Sequence, residues 1–122
     1  MATALIRLGR IAADAQESLD AEVDRLTSLA VDRSLPGQVR VACEPLRNVS
    51  SHLVRQLFVL LWKSHGWGAR HMSQDHWNRL AELTRAPPIA SSRVHFPGAI
   101  EARRESSWLV LGPLDKMNGP DV

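Results

Sequence analysis

Five histidines (His52, His65, His71, His76 and His95) and one cysteine (Cys43) are the residues best suited to hold a metal. A structural zinc site needs four such ligands, brought together by matched spacing. His71 and His76 stand five apart, which puts them on different faces of a helix. Neither C-x-x-C nor H-E-x-x-H occurs, so no metal site is expected. Cys43 follows Ala42 in a short alternating stretch and reads as a small buried hydrophobe, not a nucleophile. The seven glycines include no adjacent pair and match no phosphate-cradling loop. No catalytic residue and no cofactor are expected of this chain.

What remains is cationic and aromatic chemistry. Arginine supplies thirteen of the fifteen basic residues, with only Lys63 and Lys116 beside it. Residues 1–32 hold six acids and three bases, and residues 105–122 hold three acids and one base. Between them, residues 33–104 hold eleven bases and four acids, a net of +7 inside a chain of formal charge +2. A basic body between acidic ends points toward an anionic partner. Trp62, Trp77 and Trp108 fall at helix or strand spacing and suit the core. Trp67 is flanked by Gly66 and Gly68, which suits a partly exposed ring able to stack on a base.

These side chains need elements to position them. A chain of 122 residues, 44% hydrophobic and 23% charged, fits one ordinary globular domain. One cysteine allows no internal disulfide, which favours a reducing cytoplasm. Arg7 and Arg10 break any signal-peptide core, and the longest apolar run, Leu57 to Trp62, is far below the roughly 20 residues of a membrane span.

Leu5, Leu8, Ala12, Ala15, Leu19, Val23, Leu26 and Ala30 recur at spacings of three and four, predicting a long helix over about 3–31. Its stripe is narrow and suits one partner, either this chain's body or a second copy. Val39 and Val41 alternate with Arg40, which allows a short strand near 38–43. Asn48 or Ser50 can cap a second helix whose broad face of Leu53, Val54, Leu57, Phe58, Leu60 and Leu61 marks it as the central core element, stopping at Gly66. Ser73 caps a third helix, with Met72 and Trp77 at staple positions and Pro87-Pro88 as its end. Arg93–Phe96, Ala99–Arg104 and Trp108–Leu111 then read as a three-stranded antiparallel meander. The fold class is α+β. The expected divisions are a long helix or linker at 1–32, a helical recognition domain with a C-terminal meander at 33–112, and a loose tail at 113–122.

Four segments in order resemble the region that follows the catalytic domain of tRNA(Ile)-lysidine synthetase. They are the helix from Ala4 to Glu17, the apolar helix Leu53 to Trp62 with His65-Gly66-Trp67, the segment Met72 to Leu83, and the stretch Arg93-Val-His-Phe-Pro-Gly-Ala-Ile-Glu-Ala-Arg-Arg with Trp108 to Gly112. The last is similar to that family's L-P-G-G-I hairpin. The family is an ATP-dependent ligase that joins lysine to the wobble cytidine of a tRNA. Its catalytic domain carries an S-G-G-x-D-S pyrophosphate loop, which this sequence lacks, so ATP use belongs to the catalytic domain and to no residue here. The resemblance implies a non-catalytic tRNA-recognition segment, either a fragment or a remnant encoded alone. Candidate tRNA-binding residues are Arg70, Arg79, Arg93, Arg103, Arg104 and Trp67, with Arg103 and Arg104 on opposite sheet faces. The alternative function is a protein–protein or homodimerisation module built on the first helix.

Overall fold

The ends of the second and third helices follow from local chemistry. In the computed structural model, which describes residues 2–34, 36–87 and 93–114, α1 runs Ala2–Ala30, α2 Ser51–His65 and α3 Gln74–Arg85. Of the two candidate caps for α2, Ser50 is used: its side chain accepts from the Leu53 N–H. Gly66 closes that helix in the left-handed region at φ 66°, where a Cβ is strained. His65 Nδ1 lies 2.9 Å from the Leu61 carbonyl at the same end. Ser73 caps α3 by a reciprocal pair: its side chain accepts from the His76 N–H, and its own N–H donates to His76 Nδ1 at 2.9 Å. Asp75 occupies the first turn of α3, at the positive end of the helix dipole.

The strands are β1 (Val31–Asp32), β2 (Val39–Ala42), β3 (Arg93–Phe96), β4 (Ile100–Glu105) and β5 (Trp108–Pro113). They form one antiparallel sheet in the order β1-β2-β5-β4-β3. The expected three-stranded meander is therefore β3–β4–β5, widened to five strands. β2 pairs along β5 through Val39 opposite Leu111 and Val41 opposite Leu109. β1 adds two residues, Val31 opposite Val41 and Asp32 opposite Arg40. Pro113 belongs to the sheet rather than to a tail, opposite Ile100, and residues 115–122 lie outside the described residues.

The inner sheet face presents Val39, Val41, Ile100, Ala102, Leu109 and Leu111, all at most 2% exposed, to the helices. α2 supplies Val54, Leu57, Phe58, Leu61 and Trp62 with no measurable exposure, which makes it the core element its broad stripe announced. Burying one such side chain contributes about 1.5–3 kcal/mol. α3 adds Trp77, Leu80, Ala81 and Leu83, and Met72 packs against the same cluster. On α1, Val23, Leu26 and Ala30 are buried, Leu19 is half-buried and Ala15 is exposed. Cover over the α1 stripe thus lessens from Ala30 back to Ala15.

Candidate nucleic-acid interface

The outer face of the sheet carries a row of mostly charged side chains. Strand register places Asp32, Arg40, Val110, Arg103 and Arg93 side by side across all five strands. Arg93 and Arg103 are direct cross-strand partners, so this face brings together two of the sequence candidates. Beneath them lies Glu101, only 1% exposed although it points to the outer side. Arg93 Nε stands 3.2 Å from its Oε1, His95 Nε2 3.2 Å from the same oxygen, and Arg103 Nη2 3.4 Å from Oε2. A carboxylate removed from water needs such partners to remain charged.

Arg103 also meets Glu105 at 3.3 Å, and Arg40 pairs with Asp32. The side-chain bonds of Arg40, then the Ser34 N–H, pull the Asp32 carboxyl down to about 2. Arg40 also lies over the Trp108 ring, 4.6 Å from its centroid. The face therefore carries three arginines, Arg40, Arg93 and Arg103, against three acids, Asp32, Glu101 and Glu105. It is ordered but electrically balanced.

Arg104 points the other way and is 4% exposed. Its Nε donates to the Ser106 carbonyl, and Nη1 donates to the Leu83 and Ala86 carbonyls, each at 2.7 Å. Those last two acceptors are at the C-terminal end of α3, where the Leu83 carbonyl also accepts from the Ala86 N–H at 3.3 Å and the Ala86 carbonyl lies past the last turn. Arg104 ties the helix end to the sheet, and its interior position leaves it a brace where the sequence made it a candidate for RNA contact. Burial pushes the Cys43 thiol up, against a weaker opposing effect of Arg104, which keeps it protonated.

Trp67 is half-buried. Its ring meets Trp62 edge-on at 5.2 Å and lies over the His65 ring at 4.7 Å. Trp62 also meets Trp77 and Phe96 edge-on, so Trp67 closes an aromatic cluster and leaves only part of its surface outside. Arg70 is exposed on a single 3-10 turn, Ala69–His71, and Arg79 is exposed on α3, 3.4 Å from Glu82. No described contact joins either residue to the sheet face.

One group was not singled out in the sequence. Arg85, the last residue of α3, reaches the start of α2: Nη1 donates to Ser51 Oγ and Nη2 to the Val49 carbonyl at 2.7 Å. Its partners are neutral, so its charge is not cancelled. Two clefts flank it. One, of about 450 Å³, includes Arg47, Arg85, Arg104 and Glu44 in its lining; the other, of about 180 Å³, includes Arg55, Arg85, Asn78 and Glu82. The sequence did hold a signal here: the first turn of α2 contains no acid, although its dipole favours one.

The family model of the TilS substrate binding domain matches residues 42–110, more than half of the chain. The chain belongs to this family. The match groups it with the C-terminal region of tRNA(Ile)-lysidine synthetase and runs from the end of β2 into β5. It takes in α2, α3, both clefts and the Arg93–Arg103 pair, and it leaves α1 outside. No curated protein matches the chain.

Proposed function

We propose that this TilS-family domain is a tRNA-recognition segment that holds the substrate while a separate catalytic domain performs lysidine formation. The family match carries the reading, and the arginine-rich surface supports it. Arginine forks bind phosphate oxygens in pairs, which fixes the position of an RNA without reading its sequence. Arg70 and Arg79 each offer an exposed guanidinium, whereas Arg93 and Arg103 are engaged by Glu101. The outer part of the Trp67 ring can stack on an unpaired base. Arg104 supports the surface from within.

The test is to titrate the whole chain into fluorescently labelled tRNA at low salt and follow anisotropy. Saturable binding is expected, with affinity falling steeply as salt rises, because each neutralised phosphate releases a counterion. No binding at low salt overturns the reading. The exposed Ala15 and half-buried Leu19 on the α1 stripe favour a second reading, a homodimer through that helix. Light scattering that shows one monomer mass at all concentrations removes it.

A further inference from the structure

We infer that RNA phosphates dock where α2 begins and α3 ends, on Arg47, Arg55 and Arg85, and not on the outer sheet face. The inference rests on the tRNA reading above and names the surface that serves it. Charge decides between the two faces. The sheet row sets three arginines against three acids. The two clefts beside Arg85 set the surface cations Arg47, Arg55 and Arg85 against Glu44 and Glu82, and Glu82 already meets Arg79. Phosphates gain nothing by displacing the buried Glu101 from Arg93 and Arg103, because that carboxylate would lose its partners.

Three further features converge on the same end. First, Arg55 and Arg85 make no ion pair among the described residues, and Arg47 meets Glu44 only at 3.5 Å with both side chains largely in solvent. An exposed pair of that kind is worth little and yields readily to a phosphate. Second, Arg85 is held in place by Ser51 Oγ and the Val49 carbonyl. Its fork is fixed before a ligand arrives, which lowers the ordering cost of binding. Third, the first turn of α2 carries no acid where stability favours one. His52 stands where α3 has Asp75, and Arg55 follows about one turn later. A local rule broken without a structural gain marks a functional surface. The exposed Arg79 borders this end through Glu82, so a sequence candidate falls beside it.

The experiment compares Arg55→Gln, the double variant Arg47→Gln/Arg55→Gln, and the sheet-face variant Arg40→Gln/Arg93→Gln, each as the full chain against labelled tRNA over a salt series. Arg55 and Arg47 are chosen because neither braces the fold, and thermal melts confirm that each variant is folded. Arg55→Gln is expected to weaken binding about fivefold at low salt and to reduce the salt slope by about 1. The double variant is expected to reduce the slope by about 2. The sheet-face variant is expected to stay within about twofold of the parent. A loss confined to the sheet-face variant, or equal losses in all three, overturns the inference and leaves the tRNA reading standing. Failure of the unmodified chain to bind removes both.

Discussion

Replacing Arg104 by methionine tests how the sheet is tied to the helices. Methionine keeps much of the stem's volume and removes the fork. Three N–H donations are lost, to Leu83, Ala86 and Ser106, each at 2.7 Å. Bonds from a charged donor contribute about 1.5–3 kcal/mol each. Against this, the variant no longer holds a desolvated charge, which returns several kcal/mol. The acceptors do not regain water fully, because the Leu83 carbonyl lies in the interior. The Leu83 carbonyl keeps the Ala86 N–H at 3.3 Å, while the Ala86 carbonyl is left poorly satisfied at a cost of about 1–3 kcal/mol. The balance is a loss of about 3 kcal/mol, a large part of the 5–15 kcal/mol typical of a domain. Urea unfolding followed by tryptophan fluorescence reads it directly, since Trp62 and Trp77 are buried. The matching fall in Tm is roughly 10 °C. Arg104→Lys should recover only part of the loss, because an ammonium cannot span three carbonyls at once. A loss below about 1 kcal/mol for Arg104→Met would refute the argument that this side chain closes the end of α3.

Glu101→Gln should destabilise the chain by about 1–2 kcal/mol in the same assay, less than a fully buried pair because Arg93 and His95 are largely exposed. Asp32, held near 2 against an ordinary 3.8, adds stability that is complete above about pH 4 and is lost as pH falls toward 2. Asp32→Asn should therefore flatten the acid limb of a stability–pH curve in that window and lower stability at neutral pH. Ser73→Ala removes one half of the α3 cap and should cost about 1 kcal/mol, read as a shift of the urea midpoint with unchanged m-value.

Local patterns carried most of the fold. The Ser73 cap, the Gly66 stop and the broad α2 stripe all depend on neighbours within one or two turns, and each stands where the spacing put it. The strand at Val39–Ala42 was legible as alternation, whereas its partner was not, because pairing with β5 joins residues about seventy apart. Two residues, Val31 and Asp32, are too few to show a period, so β1 stayed hidden. The site was less legible for the same reason. Arg103 and Arg104 were placed on opposite faces correctly. Which face is interior depends on α3, whose end supplies the carbonyls that capture Arg104. Arg85 escaped notice because its meaning lies in Ser51 and Val49, more than thirty positions away. The acid-free first turn of α2 was visible but carries weight only once Arg85 stands beside it.

The proposed grip on tRNA lies at the end of the domain built by α2 and α3. Backbone amide and arginine side-chain NMR shifts of the isotopically labelled chain, recorded as unlabelled tRNA is added at low salt, test it most directly. Shifts are expected to concentrate in residues 47–55 and 79–86, with the outer face of β3 and β4 little changed. An unchanged spectrum, or changes confined to residues 93–105, contradicts it.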